Sequence, residues 1–341
     1  MEIKEILGRL VTGCDLTQRE ARWMMDRIMS GEMTQAQIGA YLTALRLKGE
    51  TVDEIAGSAM TMRDKATRVV ATGEVIDTCG TGGDGLGTFN ISTTVAFVVA
   101  ACGVTVAKHG NRAISSKSGS ADLLLALGVK IDLEPAAVER CLREVGIGFL
   151  FAPRHHGAMR HAMGPRQELG YRTVFNLLGP LTNPAGAPNQ LLGVFDARWV
   201  EPMARALGVL GSRHAMVVHG FDGLDEITTT GLTHVAEWTP EGTVSRYELH
   251  PELFGIPLAR PEDLAGGDAA CNAEISRRIL EGEAGPRRHI VLLNAGAALK
   301  VVGKAETIGA GIALAANALD QGRALGCLNH LIHVSNSMGS A

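Results

Sequence analysis

The chain has 341 residues, 46% hydrophobic and 20% charged, with a net charge of −4. That length permits two domains or one large α/β domain with an addition, and the charge gives no global attraction to nucleic acid or an anionic membrane. The six cysteines are scattered without a CxxC pair, which argues against a disulfide framework or a zinc site and for reduced, cytosolic thiols.

The amino-terminal MEIKEILGRL is charged and amphipathic and lacks a signal-peptide core. The apolar run 95–107 is too short to span a bilayer, so a cytoplasmic protein is expected. Three capping boxes punctuate the start of the chain: Thr17 with Glu20, Thr34 with Gln37 and Thr51 with Glu54. Gly31 and Gly49 fall just past segment ends, where helices stop. Helices are expected over 3–11, 18–29, 35–47 and 52–67. Ile38, Tyr41, Leu42 and Leu45 make one apolar stripe at helical spacing.

From about residue 74 the texture changes to apolar strands alternating with helices, which predicts a largely parallel sheet with helices on both faces. The stretch 77–122 reads as strand, glycine loop, helix, strand, second polar loop, helix. Five glycines fall between Gly80 and Gly87, a helix is expected over 93–101, and Val104-Thr105-Val106 is a β-branched strand followed by Lys108-His109-Gly110-Asn111-Arg112. Both loops then lie outside the carboxyl ends of neighbouring strands, where open α/β sheets bind ligands. Glycines let the backbone approach an anion, and a helix amino terminus offers unpaired N–H groups. A phosphate-rich ligand is the expected guest. Gly87 is followed by Thr88 and not lysine, which fails the P-loop pattern. Gly80-x-Gly82-x-x-Gly85 matches a dinucleotide fingerprint, but the acidic residue expected about 20 positions later is replaced by Lys108.

Further along, 147–151 and 215–218 read as strands, 121–127, 135–145, 199–210, 269–281, 286–302 and 305–321 as helices, and 232–250 as a peripheral hairpin. Asp225 and Glu226 are adjacent carboxylates in a glycine-rich turn. Such a pair suits Mg2+, which takes a few protein oxygens and completes its shell with water and phosphate; it also suits a solvated surface turn.

GTGGDG, TFNIST, KHGNRAISSKSGSAD, the run 151–186 and VVHGFDGLDEIT, in this order, resemble the successive signatures of the anthranilate phosphoribosyltransferase family. The resemblance spans nearly the whole chain. It implies a small N-terminal α-helical domain at 1–70, which helices from 160–185 could join, plus a large α/β domain at 71–341 with a central, mostly parallel sheet flanked by helices. It also implies a homodimer through the helical domain, closure of the domains about hinges near residue 70 and flanking 160–185, and transfer of a phosphoribosyl group from 5-phosphoribosyl 1-diphosphate to anthranilate. Two departures stand out: Gly157, where the family often has proline, and Leu125, where it often has glutamate.

Carried over position by position, the resemblance assigns the donor to Gly80, Gly83, Asp84, Thr88, Asn90, Ile91, Ser92, Thr93, Lys108, His109, Gly110, Asn111, Arg112, Ala113, Ile114, Ser115, Ser116 and Ser120. Ser92 and Thr93 alone also read as an ordinary N-cap, and Lys108 alone as a solvated cation. The acceptor falls to Gly80, Asn111 and Arg166, with His109, His156 and Pro180 walling its slot; a guanidinium suits the carboxylate. Two Mg2+ ions are expected on Ser92, Asp225 and Glu226. Anthranilate's aryl amine is already neutral at pH 7, so no residue is assigned as general acid or base. Two alternatives stay open: a pyrimidine nucleoside phosphorylase of the same architecture, and a non-catalytic, nucleic-acid-binding relative.

Overall fold

The computed structural model describes residues 1–113 and 117–337. Helices α1 (Ile3–Val11), α2 (Gln18–Met29), α3 (Gln35–Lys48) and α4 (Val52–Asp64) open the chain. Each of the three expected capping boxes is formed, with Thr17, Thr34 and Thr51 accepting from the N3 amide and the N3 side chain returning the bond. α4 ends at Asp64, three residues before the expected stop. Beyond it Thr67 N–H is claimed by the His155 carbonyl and not by a helical partner.

Among the described residues the strands form one seven-stranded sheet in the order β3-β2-β1-β4-β5-β6-β7. The strands are β1 (Val75–Gly80), β2 (Thr105–Gly110), β3 (Ile147–Phe151), β4 (Asn189–Gly193), β5 (His214–Gly220), β6 (Thr233–Trp238) and β7 (Val244–Leu249). The first five in spatial order are parallel. β6 and β7 are an antiparallel hairpin that joins the sheet through β5, so the expected peripheral hairpin is the sheet's edge. β2 starts and ends later than expected, which puts Lys108, His109 and Gly110 within the strand.

Side chains alternate between two apolar clusters with the period of two that a strand requires. On β5, Ala215 and Val217 join the cluster that includes the N-terminal helices, whereas Met216 and Val218 join the one under the C-terminal helices. The helical bundle is therefore packed continuously onto one sheet face. Helix Arg160–Leu169 also packs against α2 and α3. Among the described residues no helix is long and apolar enough to cross a membrane.

The sheet order reverses between β1 and β4. The earlier strands β2 and β3 lie on one side, and β5 on the other. Loops leaving the carboxyl ends of strands flanking this reversal diverge and leave a crevice, the usual ligand position of such sheets.

Candidate active site

The loop after β5 crosses this crevice because two glycines make room for it. A side chain at Gly193 would run into the Asp225 carbonyl, and one at Gly80 into its carboxylate. Asp225 can then accept a hydrogen bond from the Gly82 amide at 2.7 Å. Glu226 accepts from the Ser92 amide at 3.0 Å, at the start of helix α5 (Ile91–Ala101). The loop is braced from behind: Asp222 accepts from Thr228 Oγ1 at 2.7 Å and from the Leu224 amide at 3.1 Å. Asn294, fully buried, both accepts from Ile227 N–H at 3.0 Å and donates to its carbonyl at 2.8 Å.

Burial raises the Asp225 carboxyl to about 7, with the neighbouring Asp84 charge adding to it. Burial and Asp225 together raise Glu226 to about 8. Two carboxylates so disposed hold their negative form only beside a cation. Among the described residues no three His, Cys, Asp or Glu side chains form a complete metal cage. Hard oxygen donors that do not complete a shell fit an ion whose remaining ligands come from water and phosphate.

Lys108, 2% exposed, donates from Nζ to the Thr78 carbonyl at 2.5 Å and to Ser92 Oγ at 3.4 Å. Burial lowers its ammonium against the opposing pull of Asp77. The glycine loop itself turns through left-handed backbone at Gly82, Gly83, Gly85 and Gly87. Arg172 reaches across to donate to the Gly83 carbonyl while lying 4.1 Å over the Phe195 ring. Thr88 bridges to Ala265, which pins the loop's far side. Thr93 and Ile91 are buried in the first turn of α5, and so face its packing.

Asn90 stands at the start of helix α5. Its Nδ2 donates to the Ser118 carbonyl at 3.0 Å, and its Oδ1 accepts from Ser118 Oγ at 3.1 Å and Asn272 Nδ2 at 2.9 Å. The side chain therefore clasps the second polar loop to helix Ala269–Leu280. Ser120 Oγ donates to the Asn111 carbonyl at 3.3 Å. Asp122 accepts from both the Ala113 and Gly119 amides at 2.9 Å, which shapes the turn beside exposed Asn111 and Arg112. Ile114, Ser115 and Ser116 lie outside the described residues.

The rest of the predicted set forms a second cluster. His109 and His156 face each other with Nε2 atoms 3.2 Å apart. Burial pushes His109 well below its usual range and His156 down to about 4. Both rings are therefore neutral at pH 7, one donating to the other. Arg166 is half-buried 4.9 Å over the Phe175 ring, and its guanidinium has no ion pair among the described residues. Phe175 opens the short helix Phe175–Leu178, which leads directly into buried Pro180. Gly157 starts the turn Gly157–Met159, where an added side chain would meet open space, and Leu125 is exposed on helix Ser120–Ala126. A cavity of about 420 Å3 in the helical bundle, lined by Arg22, Trp23 and Asp64 among others, shares no residue with either cluster.

A model described as glycosyl transferase family, a/b domain, matches residues 72–325, and the helical bundle domain of the same family matches residues 4–66. The anthranilate phosphoribosyltransferase of Paramagnetospirillum magneticum is 56% identical over 334 residues, covering 98% of this chain and 96% of that protein. The enzyme of Geobacter sulfurreducens is 54% identical over 349 residues, covering 98% and 99%. Among solved structures, anthranilate phosphoribosyltransferase from Thermus thermophilus superposes with a TM-score of 0.92 at 45% identity, covering 97% of this chain and 99% of that one. The Saccharomyces cerevisiae enzyme, solved in complex with PRPP and Mg, gives 0.89 at 27% identity, covering 98% of each chain.

Proposed function

The chain belongs to the anthranilate phosphoribosyltransferase family, and from that premise we propose how its residues divide the work. It transfers the 5-phosphoribosyl group of 5-phosphoribosyl 1-diphosphate to the amine of anthranilate, giving N-(5-phosphoribosyl)anthranilate and diphosphate, a step of tryptophan biosynthesis. It uses magnesium.

The observation that carries the assignment is the buried acidic pair Asp225–Glu226 set against the glycine loop and the start of α5. Asp225, Glu226 and Ser92 would hold Mg2+, two ions per subunit. The metal supplies positive charge that offsets the polyanion and its departing diphosphate. The glycine loop at Gly80, Gly82 and Gly83 and the positive end of the α5 dipole add to this for the diphosphate. Lys108 orders this region from beneath, through Ser92 and the Thr78 carbonyl. The segment 108–116 with Ser120 lines the phosphoribosyl moiety.

The acceptor lies in the second cluster. Arg166 takes its carboxylate, Asn111 and Gly80 contact it, and His109, His156 and Pro180 wall the ring. The amine lone pair forms the new bond to C1 as the C1–oxygen bond breaks, its electrons leaving with diphosphate through an oxocarbenium-like transition state, and the acidic proton of the resulting secondary ammonium passes to the departing diphosphate or to water. Neutral, mutually hydrogen-bonded histidines suit a slot for an uncharged aryl amine. No general base is assigned.

The organisation that accompanies this reading is a helical domain at 1–70 joined by helices from 160–185, a catalytic domain at 71–341, a homodimer through the helical domain and a cytoplasmic location. The domains close on the substrates and exclude water.

The test is loss of anthranilate fluorescence on mixing with 5-phosphoribosyl 1-diphosphate. Loss is expected with Mg2+ and not after chelation. Metal-independent loss would remove the acidic pair from the metal role.

A further inference from the structure

Segment 179–183 is gripped by a succession of buried and half-buried side chains from different elements. The Gly179 carbonyl is faced by the His109 ring on β2. The Pro180 carbonyl accepts from Gln190 Nε2 on β4 at 2.7 Å. The Leu181 carbonyl accepts from Arg63 Nε on α4 at 2.6 Å, and the Thr182 carbonyl is faced by the His156 ring. Asn183 then donates to Asp77 at 2.7 Å and to the Ala107 carbonyl at 2.8 Å.

A turn of this length satisfies most of its backbone locally, as the Thr182 amide and hydroxyl do on Gly179. The additional side chains fix its position against the sheet. His109 and His156 are accounted for by the acceptor slot. Gln190 and Arg63 are not. Gln190 is 3% exposed, and its amide also reaches Cys79 Sγ at 3.0 Å. Arg63 has no carboxylate partner among the described residues. Its Nη1 donates to the Leu210 carbonyl at 2.9 Å, at the C-cap of helix Val200–Val209. There the negative end of the helix dipole faces its charge. A buried glutamine and a guanidinium set only against carbonyls are costly unless every donor is used. Both direct one donor at the same turn.

We infer that Gln190 and Arg63 are positioning residues for the acceptor slot, each fixing one carbonyl of 179–183 and so the distance of Pro180 from the His109–His156 pair. The inference rests on the reading that these residues wall the slot. It makes the slot a joint product of sheet and helical bundle, since Arg63 arrives from α4. A displacement of about 1 Å in a substrate-positioning group can cost on the order of a hundredfold in rate.

The experiment is steady-state kinetics of the full chain carrying Gln190→Met, Arg63→Lys or His156→Ala, with each substrate varied in turn and melting followed by circular dichroism. Removing the amide of Gln190 leaves the Pro180 carbonyl unpaired, and the acceptor KM should rise about tenfold while the donor KM stays within about twofold. Arg63→Lys keeps the charge but cannot reach both carbonyls in the same geometry; the same split is expected, smaller in size. If His156→Ala raises the acceptor KM but Gln190→Met and Arg63→Lys leave it unchanged, or move both KM values together, the positioning role is wrong. If His156→Ala itself leaves the acceptor KM unchanged, the slot reading falls first. Should Gln190→Met fail to fold, Arg63→Lys decides alone.

Discussion

The Gly82 amide donates to the Asp225 carboxylate at 2.7 Å, although the two residues stand 143 positions apart. The bond joins the glycine loop after β1 to the acidic turn after β5 across the point where the sheet order reverses. Removing the carboxylates should therefore separate stability from activity. Asp225→Asn with Glu226→Gln removes two carboxyls whose ionisation burial opposes, and ligand-free protein should melt higher, by roughly 2 °C per kcal/mol gained. Catalysis should fall by on the order of a hundredfold or more, as when preorganised charge is lost. Differential scanning calorimetry beside the fluorescence assay reads both, and a lower melting temperature would contradict the argument.

Gly193→Ala should be among the most damaging single-methyl additions in the chain. The new carbon would overlap the Asp225 carbonyl, which belongs to backbone and cannot swing aside. Overpacking of this kind costs about 1–3 kcal/mol, and the acidic turn must shift. Reduced urea midpoint together with weakened Mg2+ dependence is the expected pair of results. A wild-type metal response would mean that the turn is seated by something else.

Arg166→Glu should raise the acceptor KM far more than the donor KM, because the half-buried guanidinium over Phe175 has no protein carboxylate to neutralise among the described residues. Reversing its charge puts repulsion where attraction is proposed, and a loss of about 2–3 kcal/mol or about a hundredfold is expected. Equal effects on both substrates would take Arg166 out of the acceptor site.

Glu237 supplies the pH dependence. Burial opposes its ionisation, but hydrogen bonds from His214, Lys300 and Tyr247 outweigh that and hold the carboxyl down to about 2, against an ordinary 4.5. A folded value below the unfolded one stabilises the fold at pH above 4.5, and that contribution drains away as pH falls toward 2. Glu237→Gln should lower the urea midpoint at pH 7 and flatten its decline between about pH 5 and 2. Parallel curves for both proteins would show that other carboxylates govern acid unfolding.

Local chemistry made much of this legible. Thr17, Thr34 and Thr51 announce their helices because capping is a short-range bond between residues three apart. The glycine loop and the Asp225–Glu226 turn announce themselves because close backbone approach demands glycine. β4 carries no such signal: Asn189 and Gln190 open it with polar side chains whose partners, Val75 and Pro180, lie on other elements. Helix Arg323–Ser337 is not among the expected elements either. The supporting residues are equally silent. Asn294, Asn272, Gln190 and Arg63 are single polar residues in otherwise ordinary segments, and their role exists only in the distance to a carbonyl or amide elsewhere in the chain. Asn90 is as silent about its partners in space, Ser118 and Asn272.

The hairpin β6–β7 has a consequence for how the molecule behaves in a crowded solution. Among the described residues β7 is the rim of the sheet and leaves one row of backbone donors and acceptors without a strand partner, a template on which another chain could add. Its outward positions carry Arg246 and Glu248, both exposed and each paired locally, with Glu201 at 3.0 Å and His234 at 3.4 Å. An incoming strand would have to break those pairs and accept charge into its ladder. Replacing both with valine would leave the crevice untouched and turn this rim into a self-adhesive one, so that aggregation would set the upper limit on working concentration.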